Sequence, residues 1–273
     1  MIIAAETTYD QIAYLYDGSL EGLLTAVFAA YERRENPEDI VWDQAYQPRL
    51  GQESFAVETD FDRAKRVRRG VEKAAGAEAF RAIQRAAMCE DYETGSIVYR
   101  FIRHVMARQT GERSNPVLED LANPVVAPLV ALAKHASNEG EYMRQFVRFS
   151  HLENGVWYAK CAPNASVVPL VMGYFADRLN DQPFIIFDER HHLAGIYDGR
   201  SWGLVGGDAV NVPELAENEE TMREAWKRFY DALSIDARFN PELRQHFMPQ
   251  RLRANLTEMH PRIPNAYDAS DKI

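Results

Sequence analysis

The feature that most restricts how this chain can fold is a change of hydrophobic period near its middle. In the first half Leu20, Leu23, Leu24, Val27, Phe28 and Tyr31 recur at helical spacing, and Ile97, Val98, Phe101, Ile102, Val105 and Met106 repeat the stripe. From Phe146 the period shifts towards two. Phe146–Leu152 and Val156–Cys161 flank Glu153-Asn154-Gly155, and Asn-Gly between β-rich runs is a strong short-range hairpin signal. A helical pattern cannot bury its stripe as a strand, nor the reverse. The chain is therefore predicted to be α+β, with a mainly helical N-terminal half, a small, largely antiparallel sheet with a covering helix in the middle, and a helical C-terminal tail. The expected regions are 1–138 and 139–273, or one continuous domain across both.

Local signals place the elements. Ile12–Tyr16 reads as a strand, and Asp17-Gly18-Ser19 as a turn whose Ser19 side chain can cap the next helix, which Asn36-Pro37 ends. Residues 40–59 show no clear period. Helices are expected over 61–75 and 77–91, broken at Gly76, and from Pro124 with Asn123 as cap. In the middle, Ser166 starts a helix reaching about Asn180. Phe184–Phe187 is a short continuous apolar run, as expected of a strand buried on both faces, and Leu193–Tyr197 turns at Asp198-Gly199 into Ser201–Val205. Asn240-Pro241 and Met248-Pro249 put proline at helix starts, so short helices are expected near 219–233, 241–247 and 249–259.

Charge is unevenly placed. The net charge is -10, yet residues 63–85 carry Arg63, Lys65, Arg66, Arg68, Arg69, Lys73, Arg81 and Arg85 against only Glu72 and Glu78, and 223–262 hold eight Lys/Arg against five Asp/Glu. Any anion-binding surface on such an acidic chain should be local, one of these two islands. Cys89 and Cys161 have no CxxC partner and apolar neighbours, so both read as buried thiols. With two cysteines the chain also lacks the triplet of a radical iron–sulfur enzyme. No run approaches the ~18 apolar residues of a membrane span, and the N-terminus lacks a signal-peptide pattern. A cytoplasmic protein without a membrane partner is expected.

Familiar catalytic motifs are missing: no GxxxxGK[ST], GxGxxG, GxSxG or HExxH occurs. Gly203–Gly207 reads as a turn. No cofactor and no metal are expected. What remains are constellations. Asp188-Glu189-Arg190-His191-His192 follows the apolar strand, where Asp188 could orient His191 as a general base, although a charged hairpin turn is the plainer reading. His151 at a hairpin end reads as structural. Arg148, among Phe146, Val147 and Phe149, needs a carboxylate, phosphate or carbonyl partner, a structural ion pair with the tail being the commoner explanation. In the tail Arg251, Asn255 and Glu258 fall at i, i+4 and i+7 on one helical face, with Leu252, Leu256 and Met259 on another; Arg238, Asn240, Arg244 and His246 could join the polar side. Planar guanidinium forks suit bidentate phosphate contacts.

Tyr16-Asp17-Gly18-Ser19-Leu20-Glu21-Gly22-Leu23, Phe146–Phe149, Val156-Trp157-Tyr158-Ala159, Phe175, Arg178, Phe184–Arg190, Trp226, Tyr230 and the tail from Ala237 to Glu258 together resemble a bacterial domain-of-unknown-function family described as DNA metabolism or repair proteins. Four positions in two places depart from its pattern. Tyr174 stands where a histidine is expected, and Met248-Pro249-Gln250-Arg251-Leu252-Arg253 replaces Met-Pro-Lys-Arg-Tyr-Trp. The resemblance implies a protein found beside a DNA-repair radical S-adenosylmethionine (radical SAM) protein and in some bacteria fused to a uracil-DNA glycosylase-like domain. Its implied partners are nucleic acid, DNA above all, and that radical SAM protein.

Three expectations follow. The first is an accessory repair factor that binds DNA or a damaged nucleotide for a separate catalytic partner, through Arg66 and Arg69 of the first island and Arg148, Arg190, Arg238, Asn240, Arg244, Arg251 and Asn255. The second is a glycosylase-like nucleic-acid-modifying enzyme using Asp188, His191 or Glu258. The third is a structural interaction module in which the tail acts as a clamp.

Overall fold

The computed structural model describes residues 10–108, 116–210, 212–235, 240, 242–243 and 248–259. Its contacts divide the chain into two compact units, Met1–Ser137 and Asn138–Ile273. Helices and small sheets occur together, as the α+β reading expects.

In the first unit β1 (Asp10–Tyr16) is the centre of a three-stranded parallel sheet, with β2 (Pro37–Trp42) on one side and β3 (Glu53–Ala56) on the other. Parallel strands need a crossover, which α1 (Leu20–Arg33) supplies between β1 and β2. Ser19 caps it as expected: its Oγ accepts from the Gly22 N–H at 2.9 Å. Most of the predicted apolar stripe faces the core, Leu23, Leu24 and Val27 joining Tyr14 and Ile40 there with Leu20 and Phe28 packed against them, whereas Tyr31 at its end is 46% exposed. α2 (Phe61–Ala86) bends at Gly76, whose φ of 85° takes the left-handed region that glycine tolerates. α3 (Thr94–Ala107) lies against β2 so closely that a Cβ on Gly95 would stand 2.1 Å from the Ile40 carbonyl oxygen.

The sheet corrects the expectation for 40–59, which contain β3 and half of β2. Pro37-Glu38-Asp39 hides the strand, because two acids do not look like a buried run. Asp39 is nevertheless 7% exposed, its charge offset by Gln52 Nε2 at 2.8 Å and Arg49 at 3.2 Å.

α4 (Val126–Phe146) leads into the second unit, where five strands lie in the order β4 (Phe149–His151), β5 (Trp157–Cys161), β6 (Phe184–Asp188), β7 (Leu193–Tyr197) and β8 (Trp202–Gly206). Only the β5–β6 pair is parallel, because α5 (Val168–Leu179) crosses between them. The hairpin at Asn154-Gly155 forms, with Ser150 opposite Tyr158. Phe149, Phe175, Phe184 and Tyr197 meet edge-on or tilted, at 5.1–6.5 Å between centroids, and form the aromatic core.

Five expectations are corrected here. α4 runs through Phe146, so β4 keeps three residues and Arg148 lies just before it rather than on it. Ser166 does not cap α5, which starts after Val167 with Pro169 in its first turn. β6 is buried at alternate residues, Phe184, Ile186 and Asp188, with Ile185 and Phe187 only partly covered. Gly203 and Gly206 belong to the edge strand β8, and only Gly207 opens a turn. The stretch 249–259 is not an α-helix but two 3-10 segments, Gln250–Asn255 and Thr257–Met259, with Leu256 between them at φ -95°, ψ 115°. Segments this short cannot hold an α-helix by local bonding; burial of Leu252 and Leu256 fixes them instead. The helix expected at 219–233 is α6 (Glu219–Leu233), whereas the one at 241–247 lies mostly outside the described residues. Among the described residues no helix is long and apolar enough to cross a membrane.

Candidate functional site

Within the second unit β4, β5, α6 and the tail enclose two adjoining hollows of about 690 and 620 Å³ that share Arg148, Arg223 and Thr257. The larger is lined by Ser150, Tyr158, Lys160, Lys227 and Asn255 besides the shared residues. The smaller is aromatic, with Phe149, His151, Trp157, Met222 and Trp226 on its walls. Alternation along β4 and β5 explains the placement: Ser150 and Tyr158 pair across one face, His151 and Trp157 across the other. The His151 and Trp157 rings stand 4.9 Å apart, tilted by 40°. Trp226 is 40% exposed and lies 5.7 Å from Phe229.

Glu258 organises the cleft. One carboxylate oxygen accepts from Arg148 Nη2 at 2.8 Å and the other from Trp226 Nε1 at 3.1 Å, so the tail ties the segment before β4 to α6. Its side chain is 2% exposed. Burial pushes the carboxyl pKa up, but the hydrogen bonds from Arg148, Trp226 and its own backbone outweigh that and hold it below the usual range. Arg148 Nη1 also donates to the carbonyls of Gln145 and Val147, while its buried Nε makes no hydrogen bond among the described residues. Arg223 donates to Glu219 at 2.9 Å and to Ser150 Oγ at 2.6 Å, and Glu219 in turn accepts from the His151 N–H. Lys227 pairs with Glu224, and Lys160 with Glu189, each at 2.6 Å.

The sequence-predicted residues separate into groups. Arg148, Asn255 and Glu258 come together at this cleft. Arg251 does not share their side; its guanidinium pairs with Glu139 and lies 5.8 Å over the Tyr142 ring, while Glu139 also accepts from the Asn164 N–H. The single polar face expected of an α-helix does not form, because residues four apart do not stack on one face in the 3-10 segment that holds Arg251 and Asn255, and the backbone turns again at Leu256 before Glu258. Asp188 and His191 are buried at the end of β6 and bond to each other, Nδ1 to Oδ2 at 2.6 Å, while Asp188 Oδ1 accepts from the N–H groups of Arg190 and His191. That is a turn held by its own carboxylate. Burial first, then the Asp188 charge, pushes the neighbouring Cys161 thiol pKa up. Arg190 donates to Asn164, and Asn240 accepts from the Leu243 N–H. Arg66, over Phe28 at 4.8 Å, and Arg69 are exposed on α2 of the first unit. Arg238, Arg244 and His246 lie outside the described residues.

Sequence reasoning does not single out Ser150, Lys160, Met222, Arg223 or Lys227 for the site, and reads His151 as structural. The available signal is that Trp157 and Trp226 both fall within the family-like stretches. Among the described residues no group of three or more His, Cys, Asp or Glu is placed to hold a metal ion.

The fold and the cleft define an α+β protein with an aromatic, charge-lined hollow on its second sheet. The chain belongs to the domain of unknown function family DUF4130, whose model matches residues 92–258. Every described residue named as lining the cleft falls inside that match, whereas Tyr16–Leu23 lie outside it. No curated protein matches the chain.

Proposed function

We propose that the second unit binds DNA or a damaged nucleotide and that the protein is an accessory factor of DNA metabolism or repair, handing its ligand to a separate catalytic partner. The observation that carries this reading is the convergence of Trp157 and Trp226 with Arg148 and Arg223 on one cleft. Aromatic faces beside guanidinium groups suit bases and their phosphates. The partner implied by the family resemblance is a radical SAM repair protein, and the glycosylase-like fusions that the resemblance also implies fit the same division of labour.

The enzymatic alternative draws less from the geometry. Asp188 and His191 are occupied with each other and line neither hollow, and Glu258 is ion-paired and anchors Trp226. Fluorescence anisotropy with labelled single- and double-stranded DNA at low salt tests the proposal. Binding in the micromolar range or tighter is expected, weakened by Trp226→Ala; no binding to either DNA overturns it.

A further inference from the structure

Charge around the cleft is balanced, and this bears on what part of a nucleic acid it reads. Each of the four cations lining the two hollows has a carboxylate partner, as described above, and Glu214 adds one more negative charge to the larger hollow. A site that gripped phosphates would present excess positive charge, as DNA-binding surfaces do. Aromatic area is what the smaller hollow offers in excess. Trp157 is half-buried, braced on one side by His151, and Trp226 is fixed through its N–H to Glu258. Rings immobilised in this way lose little freedom when a flat ligand stacks on them. A volume of about 620 Å³ lies within the range of small-molecule sites.

We infer that the smaller hollow takes an unpaired nucleobase of a DNA strand, held by stacking on Trp157 and Trp226 rather than by its phosphates. The inference rests on the nucleic-acid reading above and deepens it. A base inside a duplex keeps its faces covered by its neighbours, so the substrate is single-stranded DNA or a base already out of the stack. Few counterions are released at a charge-balanced surface, so salt should weaken binding only slightly.

The test titrates the full chain with a single-stranded oligonucleotide and with a duplex of equal length over a rising salt series, reading anisotropy and tryptophan quenching. The single strand should bind at least about tenfold more tightly, with less than about tenfold loss over a tenfold rise in salt. Trp157→Ala should cost roughly tenfold or more, and Trp157→Phe, which keeps a ring face, should recover most of it. Circular dichroism establishes that each variant is folded, and the salt series on the unaltered chain needs no variant. Equal or tighter duplex binding, a log–log salt slope of about three or more, or unchanged affinity in folded Trp157→Ala overturns the inference while leaving the nucleic-acid reading in place. No binding of either DNA overturns both.

Discussion

The cations of α2 and those around the cleft begin as the same kind of anomaly, basic clusters on an acidic chain, but they are balanced differently. On α2 the partners are wet and, apart from Glu32 of α1 beside Arg63, local. Arg81 and Arg85 share Glu78 on the same helix, and Arg81 and Glu78 are each 55% exposed. At the cleft and tail two pairs differ, joining residues far apart in the chain through a buried carboxylate: Arg148 meets Glu258 across 110 residues, and Arg251 meets Glu139 across 112. A local pair closes almost no loop and competes with water, whereas a distant, dry pair exists only when the fold is complete. The comparison teaches that the basic count of a segment says little, and the location of its counter-charges says more.

Removing Glu258 should break the comparison most visibly. Glu258→Ala leaves Arg148 partly buried without its carboxylate and frees the Trp226 N–H, with an expected loss of about 2–3 kcal/mol, or roughly 5–10 °C in Tm. Thermal and urea unfolding measure it. A loss as small as that of an exposed pair would mean that the tail is not a clamp. Because Trp226 would be released, the same variant should also weaken DNA binding under the proposal.

Acid should reproduce part of that loss. The folded-state pKa of Glu258 lies below the ordinary value of 4.5. A depressed carboxylate contributes stability that is present above its unfolded pKa and is lost as pH falls through the folded one. The stability difference between the unaltered chain and Glu258→Gln should therefore be constant at neutral pH and shrink below about 4.5. The glutamine keeps one acceptor oxygen, for Trp226, and removes the charge together with the oxygen that meets Arg148. A difference that grows on acidification contradicts the assignment.

How much of this could be seen in the sequence follows the same division between local and distant. β1, the Ser19 cap, the α1 stripe, the Gly76 bend and the Asn154-Gly155 turn were legible, since each depends on residues within one or two turns of one another. The parallel sheet was not. β2 opens with Pro37-Glu38-Asp39, and only Gln52 and Arg49, later in the chain, make Asp39 tolerable in a buried strand. The pairing of Arg148 with the tail was anticipated from the cost of burying a guanidinium, but not which carboxylate would meet it. Helical spacing groups Asn255 with Glu258, but the 3-10 backbone does not follow that spacing; they reach the cleft because Leu252 and Leu256 anchor the segment. His151 and Trp157 sit beside a turn that was read correctly. Their role at a wall of the hollow depends on Trp226 of α6, which no local pattern brings to them.

The smallest expected effect sharpens the comparison from the other side. Hydrogen bonding from Arg81 holds the Glu78 carboxyl below its usual pKa, against burial and with help from Arg85, so removing its charge disconnects two arginines at once. Water already solvates all three groups and salt screens them. Glu78→Gln, which leaves helix propensity nearly unchanged, should therefore alter stability by no more than about 0.5 kcal/mol, and less still as ionic strength rises. Unfolding of this variant beside Glu258→Gln, in low and high salt, gives the contrast directly. Two arginines lost from pairing on α2 should matter less than one at the cleft, and a Glu78→Gln loss equal to that of Glu258→Gln would show that burial does not separate the two basic regions.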